Sequence, residues 1–478
     1  MNDVPNHMPN HMPPDEFRRR GHELVDWIAD YMDGVGDLPV LSTVEPGWVA
    51  AQLPDRAPEQ GEPWEEVMAD VDRIVLPGIT HWQSPGFYAF FPATTSGPSI
   101  LGELLSAGLG VQGMLWVTSP ACTEIETVML DWMAQLLGLP DRFHSQGAGG
   151  GVIQDSASSS SLVAMLAARD RARARSAAAT PDRQVVYVST QTHSSLEKGA
   201  RVAGIGHVRA VDVDDAFALL PDALEAAIEA DRAAGLTPAM VCATVGTTSS
   251  HAIDPVPAIA EVTRRHGVWL HVDAAHLGVA AICGELRWVN DGVEHADSYV
   301  TNAHKSLLTN FDCSLCWFAD RRPVLEALSI LPEYLRNQAS EAGAVIDYRD
   351  WQVPLGRRFR ALKLWFVLRH YGAEGLRAHI REHVQLTREL AGRLESDARF
   401  TVLAPVPASL VCFAHVGGDD TTRDLLDRVN ATGRAYLTHT VLRGREAIRV
   451  SIGSTSTTQR HVDELWKLLD ELAPHAGQ

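Results

Sequence analysis

The middle of the chain alternates short apolar runs with helical patterns, and this alternation limits the folds that the chain can adopt. Apolar or β-branched runs typical of buried strands lie at 184–189, 239–245, 268–272, 297–302 and 313–318. Helical spacing separates several of them, at 220–234 and 255–266. Strands that are buried on both faces and connected by helices form a parallel or mixed sheet. The sequence therefore predicts an α/β fold, in which ligands bind beyond the carboxyl ends of the strands.

Helical patterns flank the central region on both sides. We predict helices at 15–33, near 64–75 and at 120–138, and a long helix at Arg358–Tyr371. Residues 329–350 have no apolar periodicity, so we predict an exposed loop there. Residues 378–478 have the pattern of a smaller α+β domain. Its predicted helices and strands are 379–396, 420–431, 457–472, Leu410–His415 and Ala447–Ser451.

Two segments near the N-terminus have unusual compositions. Residues 1–14 repeat Asn-His-Met-Pro and are rich in Pro, Asn and His, which predicts a disordered tail. Residues 80–98 are dense in aromatic residues, Gly and Pro. They form either buried core or the wall of a pocket, and composition alone favours core.

Charge and cysteine content exclude several classes of partner. The formal net charge of −19 disfavours nucleic acid and anionic membranes, because both attract Lys and Arg. No apolar run reaches the ~18 residues that cross a bilayer.

The six cysteines are scattered through apolar or mixed segments, which is typical of free thiols in a reducing cytosol. We therefore expect a cytoplasmic protein. A zinc or redox role for Cys313 and Cys316 is disfavoured because no second pair accompanies them.

Lysine is rare in this sequence. Lys198, Lys305, Lys363 and Lys467 are the four lysines among 41 basic residues. Lys363 and Lys467 lie on predicted helices and are interpreted as solvated or paired surface groups. Lys198 is expected in the first turn of a helix, whereas Lys305 follows a predicted strand. If the chemistry requires an amine, Lys305 is the leading candidate.

A carboxylate follows another predicted strand. Asp273 comes directly after the apolar run 268–272. Burying an unpaired carboxylate is costly, so Asp273 requires a cationic or protonated partner. Capping of a following helix explains the same carboxylate equally well. A metal site with His271 and His276 is disfavoured because no further ligand set accompanies them, and we predict no metal.

A stretch rich in glycine and serine precedes the central strands. Gly147–Gly151 contains four glycines, and hydroxyl residues follow from Ser156 to a helix predicted at Leu162–Ser176. Hydroxyl and backbone N–H groups at a helix N-terminus form an anion site that suits a phosphate. Taken alone, a flexible loop is the simpler interpretation. The lysine of a nucleotide-binding P-loop is absent.

A lysine, a buried acid and a phosphate cradle are together the groups that pyridoxal 5'-phosphate requires. The lysine forms a Schiff base with the aldehyde, the acid keeps the pyridine nitrogen protonated, and the cradle holds the phosphate. Lys305, Asp273 and the region of Ser156 and Ser158 supply these groups. His193 follows the predicted strand 184–189 and is a candidate to stack on the ring, although a histidine in this setting alone is more often a capped turn residue. The sequence therefore predicts a pyridoxal-phosphate enzyme.

These segments resemble the pyridoxal-phosphate group II decarboxylases, and aromatic-L-amino-acid decarboxylase in particular. The resemblance extends from about Glu16 to Leu472. The stretches that carry it are 16–21, 77–82, 119–124, 150–154, 271–275, 310–314 and 354–360. It implies the fold-type I transferase fold, with a mostly parallel seven-stranded sheet, and a homodimer with shared active sites. The implied parts are an N-terminal helical segment at 15–95, a large cofactor domain at 96–370 and a small α+β domain at 371–478.

The resemblance also implies roles for individual residues. Lys305 matches the Schiff-base lysine, Asp273 the acid at the pyridine nitrogen and His193 the ring-stacking histidine. Tyr334 matches a mobile-loop tyrosine that protonates the carbanion carbon. Contacts with the cofactor are implied for Ser156, Ala157, Ser158, Thr248, Asn302 and His304. A substrate pocket is implied at Trp82, Phe90, Phe91, Pro92, Ala93, Gln112, Met114 and Gly356, with Gln112 and Met114 offered to the partner subunit.

The implied reaction is decarboxylation of an L-amino acid, aromatic in kind, to the amine and carbon dioxide. Relatives that instead make an aldehyde by oxidative deamination typically change one of two positions. Because His193 and Tyr334 are both retained, simple decarboxylation is favoured over that alternative. Intact Lys305 and Asp273 disfavour a noncatalytic scaffold.

Several positions depart from the family pattern. They are Asp155, in place of a small residue; His276, in place of Tyr; Ala303 and Ser306, in place of Pro and Trp; Phe90 and Ala93, in place of Tyr and Thr; and Gln112 and Met114, in place of Ile and Phe. Many of these changes make the site roomier or more polar. Compensated drift explains them, and so does a bulkier or more polar substrate such as a cysteine conjugate.

Overall fold

A computed structural model describes residues 11–330 and 345–475 of the chain. Most of the tail predicted at 1–14 lies outside the described residues, and so does Tyr334. Two sheets, one of seven strands and one of four, organise the described part.

The seven-stranded sheet confirms the predicted mostly parallel α/β architecture. Its strands are β1 (Gly150–Gln154), β2 (Gln184–Ser189), β3 (His207–Val211), β4 (Thr237–Thr244), β5 (Trp269–Asp273), β6 (Ser298–Asn302) and β7 (Ser314–Phe318), in the order β1-β7-β6-β5-β4-β2-β3. The strands β3, β2, β4, β5 and β6 run parallel to one another, whereas β7 is antiparallel to its neighbours β6 and β1. All five predicted strands are present, and β1 and β3 were not predicted.

The glycine-rich stretch is more ordered than a flexible loop. Gly150 and Gly151 open β1, whose five residues are all buried. A Cβ atom on Gly149 would lie 2.0 Å from the carbonyl oxygen of Arg142 and 2.5 Å from that of Phe318. The glycines therefore allow the backbone to pass close to its neighbours, which periodicity in the sequence does not reveal.

Helices cover the sheet and connect its strands. The longer ones are α1 (Pro14–Gly34), α2 (Gly97–Leu109), α3 (Pro120–Leu137), α4 (Ala157–Arg175), α5 (Ser195–Val202), α6 (Pro221–Ala233), α7 (Val256–His266), α8 (Arg360–Ser396), α9 (Asp419–Ala431) and α10 (Gln459–Leu472). Shorter α-helices span Trp48–Gln52, Trp64–Asp70, Leu76–Gly78, Ala303–Ser306 and Arg322–Leu328. Ser96, Ser119 and Ser156 cap α2, α3 and α4 by accepting a backbone N–H bond. Within residues 11–330 and 345–475, none of the helices combines the length and apolar character that a membrane crossing requires.

The C-terminal part has the predicted α+β character. Its antiparallel sheet contains β8 (Phe400–Val402), β9 (Leu410–His415), β10 (Thr438–Leu442) and β11 (Arg445–Ser451), in the order β10-β11-β9-β8. The helices predicted at 358–371 and 379–396 are two helical segments of α8, separated by the non-helical backbone of Gly372, where φ is +63° and ψ is 173°. The domain boundaries at residues 95 and 370 stay a prediction.

The exposed loop predicted at 329–350 is wrong for its described C-terminal end. Ser329 and Ile330 are exposed, but Asp347, Tyr348 and Arg349 are buried. The Tyr348 hydroxyl lies 3.0 Å from Thr127 Oγ1 of α3, and Asp347 Oδ1 accepts a hydrogen bond from the Trp116 N–H at 2.8 Å. This short segment is buried although its sequence has no apolar periodicity, because its polar side chains form hydrogen bonds with neighbouring elements.

The prediction that Lys363 is a surface group is also wrong. Its side chain is fully buried in α8, with Nζ 2.8 Å from Glu103 Oε2 of α2. Gly102 allows this arrangement, because a Cβ there would lie 2.7 Å from the Lys363 Cα. Burial lowers the pKa of the Lys363 amine to about 8. The six cysteines are free and buried, as predicted.

Candidate active site

Most of the predicted cofactor residues follow strands that end at one edge of the large sheet. Asp273 is the last residue of β5, and Asn302 is the last residue of β6. His193 comes shortly after β2, and Thr248 comes shortly after β4. Because β2, β4, β5 and β6 are parallel, their carboxyl ends meet at this edge. The order of the strands thus brings together residues that are far apart in the sequence.

Lys305 lies in the helical turn Ala303–Ser306 that directly follows β6. Its Nζ atom lies 5.0 Å from the centroid of the Phe91 ring. Burial lowers the pKa of the Lys305 amine to about 8, with Asp273 opposing this shift and Arg449 adding to it. With this pKa, roughly one amine in ten is uncharged at neutral pH, which is far more than for an ordinary lysine, and the uncharged form is the nucleophile.

Asp273 is buried, with 5% of its surface exposed, at the end of β5. Its Oδ1 atom accepts a hydrogen bond from the Ala275 N–H at 3.1 Å. This short turn contact fixes the carboxylate at the mouth of the sheet, where its charge acts on Lys305 and His193.

His193 lies between β2 and α5, and it is exposed in the isolated chain. Its Nδ1 atom accepts a hydrogen bond from the Ser195 N–H at 3.2 Å and lies 2.9 Å from the Ser195 hydroxyl. Burial lowers the pKa of His193, Asp273 raises it and Lys305 lowers it. The ring is therefore fixed by its own turn and held neutral beside the lysine, which suits stacking on a flat heterocycle.

The N-terminus of α4 lies two residues beyond the end of β1. Ser156 caps the helix, with its Oγ atom accepting from the Ser159 N–H at 3.2 Å and donating to Asp155 Oδ1 at 3.2 Å. Ala157 and Ser158 form the first turn, where backbone N–H groups lack partners within the helix. The helix predicted at Leu162–Ser176 thus begins at Ala157, and its positive end faces the same edge as Lys305.

Asn302 and His304 flank the same turn from β6. Both are buried, and the Oδ1 atom of Asn302 has no hydrogen-bond partner among the described residues. His304 accepts a hydrogen bond from the Cys313 N–H at 2.8 Å through Nδ1, and burial lowers its pKa to about 3. Thr248 is half-buried in the turn after β4. The neutral side chains of Asn302 and His304 therefore precede Lys305 in the same turn, and Asn302 Oδ1 is left to accept a further hydrogen bond.

The aromatic segment predicted at 80–98 forms both core and wall. Phe87 and Tyr88 are each 1% exposed, whereas Trp82 and Phe90 are 39% and 47% exposed. The rings of Trp82 and Phe90 stack with centroids 5.7 Å apart. Phe91, followed by Pro92 and Ala93, turns inward to contact Lys305.

A second group of predicted pocket residues is tied to a different loop. Gln112 Oε1 accepts a hydrogen bond from the Arg357 N–H at 2.5 Å, beside Gly356. The Met114 carbonyl oxygen accepts from the Arg349 N–H at 3.1 Å. Arg357 itself forms a buried ion pair with Glu126 of α3 at 2.5 Å. Contacts within the same chain thus hold Gln112 and Met114 in place. That they lie opposite Lys305 of a partner subunit stays a prediction.

Sequence reasoning missed two buried residues beside Lys305. Arg449 of β11 is 4% exposed, and its Cζ atom lies 5.3 Å from the Phe91 ring centroid. Its Nη1 donates to the Phe90 carbonyl at 3.3 Å, while Nε and Nη2 have no partner among the described residues. His251, fully buried, lies 6.0 Å from the same ring. Alternation along β11 places Arg449 on the face opposite Ile448 and Val450, which suggests a polar face, and no local signal marks His251.

These residues fit pyridoxal phosphate. The N–H groups at the start of α4 suit a phosphate, the Asn302 Oδ1 three residues before Lys305 is unpartnered, and the His193 ring is exposed and acted on by the charges of Lys305 and Asp273. A lone contrary feature is Asp155, whose carboxylate bonds to Ser156 at the phosphate end. The roles of the individual residues remain proposals.

Comparison with known proteins places the chain in a family. A family model described as the pyridoxal-dependent decarboxylase conserved domain matches residues 46–416. Phenylacetaldehyde synthase of Arabidopsis thaliana is 48% identical over 472 residues, covering 96% of each chain. Aromatic-L-amino-acid decarboxylase of Rattus norvegicus is 43% identical over 468 residues, covering 96% of this chain and 97% of the relative. A crystal structure of Oryza sativa TDC with PLP and tryptamine superimposes with a TM-score of 0.95 at 41% identity, covering 98% of this chain and 99% of that one.

The match extends over nearly the whole chain and includes both sheets. It confirms the predicted fold type, the predicted cofactor and the predicted class of reaction. The chain therefore belongs to the pyridoxal-dependent decarboxylase family, and it is a fold-type I enzyme that uses pyridoxal phosphate to decarboxylate an amino acid.

Proposed function

We propose that the enzyme decarboxylates an aromatic L-amino acid to the corresponding amine. The observation that carries this proposal is the aromatic segment at Lys305, where the Phe91 ring lies 5.0 Å from Nζ and the adjacent Phe90 stacks on Trp82. Flat apolar surfaces of this kind favour an aromatic side chain over a charged one. The names of relatives support the proposal, since they include decarboxylases of tryptophan and of tyrosine.

The chain's own residues would bind and orient the cofactor. Lys305 would hold it covalently, Asp273 would keep a proton on its ring nitrogen, and His193 would stack on the ring. The phosphate would be held by Ser156, Ala157, Ser158, Asn302 and His304, with Thr248 near the ring. When bound, pyridoxal phosphate supplies an electron sink for the bond that breaks as carbon dioxide leaves.

Arg449 would bind the carboxylate of the substrate. Its guanidinium stays charged, it is buried beside Phe91, and two of its nitrogens are free to donate. A buried cation without a counter-ion is costly, so an incoming carboxylate is favoured at this position. Tyr334, which lies outside the described residues, would return a proton to the reacting carbon.

We propose that the active enzyme is a homodimer in the cytoplasm. Helix α2 exposes a row of leucines along one face, at Leu101, Leu104, Leu105 and Leu109, which are between 45% and 54% exposed. An apolar row of this kind is typical of a protein interface. Leu104→Arg should therefore increase the monomer fraction in analytical ultracentrifugation, and an unchanged mass would contradict this interface. Six buried free thiols suit a reducing compartment.

The substrate class is tested by turnover of a panel of L-amino acids. The holoenzyme is incubated with tryptophan, tyrosine, phenylalanine and, as a non-aromatic control, glutamate, and products are identified by mass spectrometry. We expect amines from aromatic substrates and little turnover of glutamate. Turnover of glutamate at a similar or greater rate would overturn the proposal.

Formation of an aldehyde is the second candidate. The observation that favours it is the 48% identity with a relative named phenylacetaldehyde synthase. Retention of His193 and Tyr334 favours the amine instead. Because oxidative deamination consumes oxygen and releases peroxide and ammonia, hydrogen peroxide equimolar with carbon dioxide would identify the aldehyde route.

A further inference from the structure

Two buried histidines pack together beside the Phe91 ring. The rings of His276 and Phe91 stack with centroids 3.8 Å apart, and the His251 ring centroid lies 5.3 Å from that of His276. His251 adopts a left-handed backbone with φ of +61°, which is uncommon for a residue with a side chain. A strained backbone at a buried polar residue calls for a functional explanation.

Three ring nitrogens of this pair have no hydrogen-bond partner among the described residues. They are both nitrogens of His251 and the Nδ1 atom of His276, and the two residues are 0% and 3% exposed. The fourth nitrogen, Nε2 of His276, lies 3.1 Å from the Ser409 hydroxyl. Since burial of an unsatisfied polar group is costly and such groups are rare, three of them in one place indicate a polar ligand.

A small pocket adjoins His276 and reaches the residue next to Lys305. Its lining includes the polar side chains of His276, Ser306, His383 and Ser409. Its volume is about 20 Å³, and one buried water molecule requires about 10–15 Å³ with two to four polar partners. The pocket therefore has room for one water molecule and polar groups to bind it.

We propose that His251 and His276 bind ordered internal water, which joins the two imidazoles and the adjoining pocket into a hydrated site behind Phe91. Water fits better than an anion or a metal ion. An anion would be drawn to the charged guanidinium of Arg449 rather than to the pair, because burial lowers the pKa of His251 to about 3 and leaves its ring neutral. A metal ion would require further ligands, and the pocket offers hydroxyl groups rather than carboxylates.

The hydrated site would solvate the nitrogen of Lys305. His276 and Lys305 contact the same Phe91 ring, and Ser306 belongs to the pocket lining. The charged groups that act on Lys305 are Asp273, which favours its cation, and Arg449, which opposes it. Burial lowers the pKa of Lys305 more than either charged group changes it. A nearby water dipole would therefore offset part of the free-energy cost of the positive charge on the lysine nitrogen.

Crystallography of the holoenzyme tests the water site directly. We expect electron density for water within hydrogen-bond distance of a His251 or His276 nitrogen in the wild type. The same density should be lost in His276→Phe, which keeps a ring against Phe91 but has no nitrogen. If His276→Phe fails to fold, His276→Leu serves the same purpose, because leucine also has no polar side-chain atom. An absence of density at both histidines, at a resolution where other buried waters are ordered, would overturn the proposal.

A pH titration of the cofactor's visible absorbance tests the link to Lys305. The pH at the midpoint of the titration should be lower in His276→Phe. The variant would hold less water at this site, so the cation on the lysine nitrogen would be less stable. The matched control is His144→Phe, a half-buried histidine whose Nε2 is also unpartnered among the described residues, and its midpoint should not change. Equal midpoints in all three proteins would overturn this link. The titration depends on the proposed function, because it assumes that Lys305 is the cofactor lysine. The crystallographic test for water does not, so failure of the water site and failure of the lysine assignment are distinguishable.

Discussion

Asp273 at the end of β5 pairs in register with Val300 of β6, five residues before Lys305. This parallel register places the carboxylate and the amine at the same edge of the sheet, although 32 positions separate them in the sequence. The acid thus ends one strand, and the lysine lies in the helical turn that directly follows the adjacent strand.

Asp273→Asn should lower kcat/KM by at least about 100-fold, in line with losses on removing one preorganised electrostatic group. The reason is that an amide does not stabilise a proton on the cofactor's ring nitrogen. Steady-state kinetics with an aromatic substrate measures the effect. Asp231→Asn is the matched control, since Asp231 is a buried acid paired with Arg209 on the distant β3 side. A loss of similar size in both variants would show that Asp273 has a structural role.

Glu126→Ala should lower the free energy of unfolding by about 3–5 kcal/mol, because it leaves Arg357 as a buried unpaired cation. Both residues are at most 3% exposed, and Glu126 Oε1 also accepts the Ile153 N–H at 2.8 Å. Urea unfolding followed by circular dichroism measures the change. Removing Glu225, which pairs with Arg265 near the surface, should have a much smaller effect. Equal losses would contradict the importance of the buried pair.

Stability should fall as pH falls below 6.5, the ordinary pKa of histidine. Burial lowers the pKa of His251 and His304 to about 3 and that of His271 to about 4. Between these values and 6.5 the unfolded chain binds protons that the folded chain does not, so the free energy of unfolding decreases with acidification. Each of these histidines should lower the free energy of unfolding by about 1.4 kcal/mol for each pH unit of acidification inside this window.

One buried acid acts in the opposite direction. Burial raises the pKa of Asp254 to about 7, so the folded chain holds a proton there that the unfolded chain releases above its ordinary 3.8. Protonation of Asp254 therefore offsets the loss of stability that about one of the buried histidines causes on acidification. Urea unfolding at neutral pH and about one unit below 6.5 should still show lower stability in acid. Equal or greater stability at the lower pH would contradict the assignment of buried neutral histidines.

Tyr334→Phe should shift the product from amine toward aldehyde, as the family resemblance implies for the proton-donating tyrosine. Without the hydroxyl, protonation of the reacting carbon slows and oxygen competes for it. The ratio of amine to aldehyde, measured by mass spectrometry, reports the change. Tyr371→Phe is a control at a tyrosine on α8 outside the proposed site. An unchanged ratio in Tyr334→Phe would refute the role.

Local sequence signals predicted the elements that carry strong periodicity. Apolar runs identified β2, β4, β5, β6 and β7, and the position of Lys305 after one of them identified the candidate lysine. The fold class followed from the same alternation, because buried strands joined by helices have few arrangements.

Long-range contacts explain what the sequence did not show. Lys363 has the local setting of a surface lysine, but Gly102 of α2 approaches its backbone and buries it beside Glu103. His251 and Arg449 meet at Phe91 from distant parts of the chain. Such meetings depend on how the two sheets pack, which periodicity within one segment does not encode.

The most direct test of the account is to identify the lysine that carries the cofactor. Borohydride reduction of the holoenzyme fixes the cofactor to its lysine, and peptide mass spectrometry locates it among the four lysines of the chain. The account predicts the cofactor mass on the peptide that contains Lys305, and no fixed cofactor in Lys305→Ala. Cofactor attached to Lys198 or Lys363 in the wild-type enzyme would contradict it.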